Sequence, residues 1–245
     1  MSKLDGDQGG HGTTPDRSAA RAPRGERRKR ETRAKLMKAA MSLMAERGFE
    51  GVAINEITEA ADVGFGSFYN HFSSKEEIYA SVVDWVFEAF ADALEKALDG
   101  VSDPAEIISL SIRHTMKHAK EEPLWGRFLV REGLSARSMT GGGLGGRLNR
   151  DILRGFESGR FRTNDVFMSF VSVGSTVLGG IVAELDVGDR QQHGLDFGVG
   201  VTDALPERTS AFVLKILGLE EEEAARIAAA PLPPFRFDAR EISNY

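Results

Sequence analysis

Residues 54–72 read INEITEAADVGFGSFYNHF, and the spacing of their apolar positions decides the architecture. Ile54, Ile57 and Ala61 fall on one helical face, Phe68 and Phe72 on another, and Asp62-Val63-Gly64 between them supplies turn chemistry. The pattern predicts two short helices, over about 55–61 and 65–70, that share a buried side. This is the plan by which a protein presents a helix end to the major groove of DNA. With Ile54, Ile57, Ala61, Val63, Phe68 and Phe72 turned inward, Gly64, Phe65, Ser67, Tyr69, Asn70 and His71 are left to face outward. Gly64 can cap the second helix, and Gly66 lets a nucleic-acid backbone approach closely. Ser67, Tyr69, Asn70 and His71 carry groups suited to phosphate oxygens or base edges. Lys75, at the start of the next helix, combines an ammonium with a helix N-terminus and is a candidate phosphate clamp.

Helical periodicity extends to both sides. Leu36, Ala39, Ala40, Leu43 and Met44 predict a helix over about 30–47, closed by Arg47 and a C-cap glycine at Gly48. Ser73-Ser74-Lys75-Glu76-Glu77 opens a long helix whose apolar positions, from Ile78 through Trp85, Phe90 and Leu98, persist to Gly100. Beyond Asp103-Pro104, helices are expected over about 104–121, 123–137, 144–158, 164–186, 203–218 and 220–229. No sustained period-two alternation demands a sheet. The fold class is all-α: an N-terminal three-helix helix-turn-helix domain joined by a long helix to a C-terminal helical domain. The expected divisions are a disordered basic arm (1–29), the helix-turn-helix domain (30–90), a ligand-binding and dimerisation domain (91–229) and a flexible tail (230–245).

The chain has 245 residues and a formal charge of −6, which by itself disfavours a polyanionic partner. Divided along the chain, the charge has two signs: residues 1–75 hold 13 Lys/Arg against 10 Asp/Glu (+3), and the rest 18 against 27 (−9). Residues 17–38 alone hold ten basic residues against Glu26 and Glu31. Arg24, Arg27, Arg28, Lys29 and Arg30, with Arg33 and Lys35 beyond, lead straight into the helix-turn-helix segment. They are expected to follow the DNA backbone or minor groove, as the basic arms of homeodomains do.

Residues 30 to about 90 resemble the DNA-binding domain of the TetR family of transcriptional regulators. Ile57, Ala61, Val63, Gly66, Tyr69, His71, Phe72, Ser74, Lys75 and Glu76 stand in the register of that family's motif. Four positions depart from it. Ala53 replaces a threonine that caps the second helix and touches phosphate, Asp62 a turn glycine, Gly64 a serine, and Phe65 a frequent lysine. Phe65 either reads DNA by apolar contact, for instance with a thymine methyl group, or packs onto the protein, and Tyr69 either contacts phosphate or is a buried aromatic with its hydroxyl satisfied internally.

The resemblance also implies a homodimer built through helices at about 164–186 and 203–218, and a pocket for a small, largely apolar effector. Candidate pocket residues are Met116, Trp125, Phe128, Arg131, Phe156, Phe167 and Phe170, with Phe161 and His114 beside them. A twofold dimer sets its recognition helices about one DNA turn, roughly 34 Å, apart and calls for a near-palindromic operator. The function expected is a ligand-released repressor. The alternatives are an activator of the same fold, or a helical small-molecule- or metal-binding protein whose DNA affinity is weakened by Ala53, Asp62 and Phe65.

Other signals are weaker. Residues 141–146 satisfy G-x-G-x-x-G, but no strand-helix-strand unit surrounds them, so a flexible connector is expected. His114 and His118 lie one turn apart without a third ligand at motif spacing, and no metal is expected. Residues 166–183 are uncharged for eighteen positions, but seven of these are Gly, Ser or Thr, which favours a buried helix over a membrane span. The chain lacks cysteine, a secretory apolar run, a P-loop and a nucleophile elbow. A cytoplasmic protein with no cofactor, no membrane partner and no enzymatic activity is expected.

Overall fold

The computed structural model describes residues 24–135, 142–163, 165–186, 203–235 and 237, and all regular structure among them is helical. The order is α1 (Arg24–Arg47), α2 (Ile54–Ala60), α3 (Phe65–Phe68), α4 (Lys75–Ala97), α5 (Pro104–Glu121), α6 (Pro123–Glu132), α7 (Gly143–Glu157), α8 (Val166–Leu185), α9 (Leu205–Ile216) and α10 (Glu221–Ala228). Helix starts follow local chemistry. The Ser74 hydroxyl accepts the Glu77 amide at α4, and the Asp103 carboxylate accepts the Ala105 amide at α5, where Pro104 fills the first position. At α8 the Asp165 carboxylate accepts from Met168.

Leu36, Ala40 and Met44 of α1, Ile57 of α2, Phe68 of α3, Phe72 and the first half of α4 form one buried group. The second half of α4, through Phe90 and Leu94, continues into the body made by α5 to α10. Arg160 ties the body's ends together, with both ends of its guanidinium on Asp103 at 2.9 Å and a further pair to Glu223.

Several expectations need correction. Helix α1 begins at Arg24, inside the segment expected to be a disordered arm. Residues 24–30 are mostly good helix formers, with Glu26 in the first turn and an Arg27–Glu31 pair one turn apart. With residues 25–30 exposed, this stretch carries no apolar periodicity for a sequence reading to find. Residues 1–23 lie outside the described set. Helix α6 ends at Glu132, several residues before 137. The glycines at 143–146 form the first turn of α7, not a connector. A side chain on Gly143, which has φ +65°, would meet Phe87 at 2.9 Å, so the glycine lets α7 close onto α4.

Helix α8 is the one described helix long and apolar enough to cross a membrane, and it packs against α5, α6, α7 and α9. Its outer face remains open: Phe167 is 65% exposed, and Phe212 on the neighbouring α9 is 57% exposed.

The tail is also packed over part of its length. Leu232, Phe235 and Phe237 lie on the core, and Arg113 anchors the root of the segment by donating to the Ala230 carbonyl at 2.7 Å while pairing with Glu207. Phe235 and Phe237 meet Phe90, His114 and His118 at ring distances of 4.9–5.3 Å. Burial drives both histidines down to about 4, and for His114 the charges of Lys117 and Arg113 add to it.

Both histidines are thus neutral in the fold above pH 4, whereas in the unfolded chain they take up protons below about 6.5. Stability is unaffected above that value and falls as pH drops from 6.5 toward 4, by at most about 3 kcal/mol per histidine at the lower limit. Urea midpoints measured from pH 7.5 to 4.5 should fall accordingly, and His118→Leu should remove about half of the decline.

Candidate nucleic-acid interface and effector cavity

The first element of the nucleic-acid face is α2. Alanine at position 53 offers no side-chain acceptor, so the capping contact of a threonine is absent. Its own amide is nevertheless satisfied: the Glu56 carboxylate accepts it at 2.8 Å and is held in turn by Arg47 at 2.7 Å. These two hydrogen bonds, that of Arg47 first, keep the Glu56 carboxyl below its ordinary range. Asp62 then turns the chain at φ +53°, a left-handed conformation that glycine adopts freely and aspartate tolerates.

Helix α3 is pinned by Phe68 and Phe72, both essentially inaccessible. On its open side Phe65 and Tyr69 are each 53% exposed and meet edge-to-face at 5.7 Å. Gly64, Gly66 and Asn70 are exposed, and Ser67 and His71 half-buried. Nothing lies within 4 Å of where a side chain on Gly66 would project. All seven candidate residues of this segment are thus exposed or half-buried, and neither Phe65 nor Tyr69 is buried in the protein.

Arg28 and Arg30 are exposed on the first turns of α1. Lys29, between them, is close enough to act on His71. The ring of His71 is held below its ordinary value by burial and then by the positive fields of Lys29 and Arg33. The α1 start and the α3 end thus form one electropositive region.

Two candidates are engaged elsewhere. Lys75 donates to the carbonyls of Phe49 and Val52 at 3.0 and 3.1 Å and sits 4.2 Å from the Phe49 ring centre. Its ammonium closes the loop between α1 and α2, which leaves it poorly placed for a phosphate. Arg33 lies 4.3 Å over the Phe72 ring and donates to the His71 carbonyl and the Ser81 hydroxyl. Both cations satisfy backbone groups that would otherwise be orphaned.

An apolar cavity of about 120 Å³ lies between α4, α5, α6, α7 and α8. Leu94, Ile112, Leu129, Leu148, Phe170 and Val173 line it, with Ser111, Thr115 and Asp151 as its polar groups. A neighbouring cavity of about 210 Å³ shares Leu94, Ser111 and Asp151 and adds Glu95, Arg147, Arg150 and Arg154. Asp151 is buried, which pushes its carboxyl up against the opposing pull of Arg150 at 3.3 Å and of Arg154.

Of the seven residues expected at a pocket, Phe170 lines this cavity. Met116, Trp125 and Phe128 are buried in the core instead, and Phe156 packs against it. Phe167 is on the open face of α8. Arg131 is exposed and donates to the Glu46 carbonyl at the end of α1. Asp151 is the residue that sequence reasoning passed over, although it left a trace: between Leu148 and Ile152 it puts a carboxylate on the apolar stripe of α7.

Walls of the cavity connect to the nucleic-acid face. Arg147 on α7 is held by three carboxylates of α4: Glu88 at 3.0 Å, Glu95 at 2.8 Å and Asp92. Tyr79 of α4 donates to Glu132 of α6.

A helix-turn-helix unit whose following helix runs into a helical body is the build of a helix-turn-helix transcriptional regulator. Comparison with known proteins supports that class. Residues 36–82 match the family model for bacterial regulatory proteins of the tetR family, and residues 103–230 match the tetracyclin repressor-like C-terminal domain. The chain belongs to the TetR family. Among solved structures, RolR in complex with resorcinol is 33% identical, with a TM-score of 0.62, and the match covers 86% of this chain and 99% of that one. The HTH-type transcriptional regulator TcmR of Streptomyces glaucescens is 32% identical over 101 residues, 41% of this chain and 44% of TcmR. The HTH-type transcriptional repressor DhaR of Mycobacterium sp. (strain GP1) is 38% identical over 69 residues, 28% of this chain and 35% of DhaR. The chain thus spans less than half the length of these curated relatives.

Lys75→Met tests the role of that ammonium. Removing two charge-assisted hydrogen bonds should lower stability by about 1.5–3 kcal/mol per bond at most, read from the urea midpoint. The salt dependence of DNA binding should not change. Unaltered stability with a flatter salt slope would return Lys75 to the phosphate.

Proposed function

We propose that the chain is a homodimeric repressor that binds a near-palindromic DNA operator and is released by a small aromatic effector bearing hydroxyl groups. The observation that carries the DNA reading is the exposed Phe65–Tyr69 pair on α3 beside the positive start of α1. Two half-exposed aromatic rings are costly to leave in water unless a partner covers them. Phe65 is the candidate for a thymine methyl group, and Tyr69, Asn70 and Ser67 for phosphate or base edges.

The dimer reading rests on the open faces of α8 and α9, where Phe167, Met168 and Phe212 are exposed on two helices already packed together. A twofold copy of the pair completes a four-helix interface. As part of a DNA-binding regulator the chain would work in the cytoplasm.

The effector class comes from the cavity and from RolR, whose structure holds resorcinol. About 120 Å³ is the scale of one aromatic ring, since an engineered cavity of roughly 150 Å³ takes up benzene. Ser111, Thr115 and Asp151 give hydroxyl groups a place to bond. An effector that draws α7 inward pulls on α4 through Arg147, and α6 acts on α1 through Arg131. Reversing a 99:1 preference for the DNA-binding form requires about 5.5 kcal/mol of differential affinity.

Gel-shift assays with DNA from upstream of the gene should give site-specific, salt-sensitive retardation, and resorcinol should relieve it. Asp151→Asn should abolish the resorcinol effect without weakening DNA binding. Weak retardation on every sequence would overturn the repressor reading.

The salt slope distinguishes arm from helix. Residues 1–23 hold three Lys/Arg and three Asp/Glu, a net charge of zero. Deleting them should leave the slope nearly unchanged. The Arg28→Ala, Arg30→Ala double variant should reduce it by up to about 4 per dimer, at roughly 0.9 for each phosphate no longer neutralised.

A further inference from the structure

Outside the effector cavity, the body holds a second aromatic slot. Phe90 of α4, His114 and His118 of α5 and Trp125 of α6 form its walls: Phe90 lies 4.7 Å from Trp125 and 5.1 Å from His118, and His118 lies 4.8 Å from Trp125. The fourth side is closed by Phe235 and Phe237. Three polar atoms buried here have no hydrogen-bond partner among the described residues: Nε2 of His114, Nε2 of His118 and the indole Nε1 of Trp125. All three residues are more than nine-tenths buried.

Orphaned polar atoms are rare in a folded interior, and each costs about as much as a lost hydrogen bond. Three of them lie among these packed rings, and the two phenylalanine rings that cover them offer no donor or acceptor. Those two rings belong to the segment beyond residue 230, where the match to the family's C-terminal domain stops. Its root at Ala230 is fixed by Arg113, so the phenylalanines can withdraw while the last helix stays in place.

We propose that the slot walled by Phe90, His114, His118 and Trp125 is a second small-molecule site, for an uncharged aromatic ring carrying a hydroxyl group, and that the chain's own Phe235 and Phe237 occupy it in the ligand's absence. The ring replaces a phenylalanine ring against Phe90. The indole N–H donates to the hydroxyl oxygen, and the hydroxyl in turn donates to an imidazole nitrogen. Such a partnership requires a neutral imidazole, as burial maintains at both positions. A charged ligand is disfavoured, because burial among these rings penalises charge without a partner. Binding and tail docking exclude one another, so occupancy expels the tail. The site is separate from the effector cavity, and its existence does not depend on DNA binding.

The test uses phenol as probe and isothermal titration on the full chain. Phe235→Ala with Phe237→Ala should strengthen phenol binding at least tenfold relative to the unaltered protein. Adding His118→Leu to that variant should remove the gain, whereas adding Asp151→Asn, which acts on the effector cavity, should leave it. If the double variant does not fold, Phe237→Ala alone keeps Phe235 on the core and should show a gain of the same sign. In the unaltered protein, saturating phenol should speed proteolytic cleavage after residue 230. No gain in affinity on removing the phenylalanines, or a gain that disappears with Asp151→Asn and not with His118→Leu, would overturn the proposal.

Discussion

One helix runs through the core from the helix-turn-helix unit into the body, and most of the molecule follows from that. The first turns of α4 bury Ile78 and Val82 against the helix-turn-helix unit, and its later turns bury Phe90 and Leu94 in the body. A single α-helix transmits rotation and translation along its length, because its packed side chains occupy discrete grooves and cannot slide continuously. Leu94, which lines the apolar cavity, and Ile78, buried beside the helix-turn-helix unit, thus stand on one continuous helix. The carboxylates of α4 that hold Arg147 lie on the same stretch and make α7 a second handle on that helix.

Electrostatics orient the two ends. The body carries the acidic surplus, and the positive charge is concentrated on the first turns of α1. Because the start of α1 is helical, Arg28 and Arg30 are presented at fixed spacing and do not trail as an arm. Charges on a formed helix lose less conformational entropy on meeting phosphates than charges on a chain that must first be ordered. Elsewhere, cations serve the protein itself. Lys75 and Arg33 stabilise the frame that positions Phe65 and Tyr69, so the apolar character of the recognition surface is not compensated by these two residues.

Buried polar groups are handled in two ways. Asp151 enters the interior with arginine partners and keeps an acceptor available at the cavity wall. His114, His118 and Trp125 bring in ring nitrogens without partners among the described residues, and two phenylalanines cover them. The first arrangement offsets desolvation by pairing; the second leaves the cost standing and keeps the groups ready for a different occupant.

Chain-local chemistry was enough for the all-helical class, the helix-turn-helix at 54–72 and the extent of α4 and α5, because apolar spacing, capping residues and turn residues act between near neighbours. Whether Phe65 and Tyr69 face solvent or pack on the protein was left open by the local pattern and decided by the burial of Phe68 and Phe72. Where Lys75 and Arg33 point was settled by packing, since their carbonyl partners at 49, 52 and 71 come from other turns of the chain. Packing also settled that Met116, Trp125 and Phe128 fill the core while Ser111, Thr115 and Asp151 reach a cavity. An apolar residue is read equally well as wall or as filling until neighbouring helices are placed. The helical start at Arg24 and the docked tail escaped the pattern for opposite reasons: the first has no buried face, and the second has no periodicity. Contacts between residues distant in sequence give the tail its conformation, and such contacts leave no mark on the local pattern.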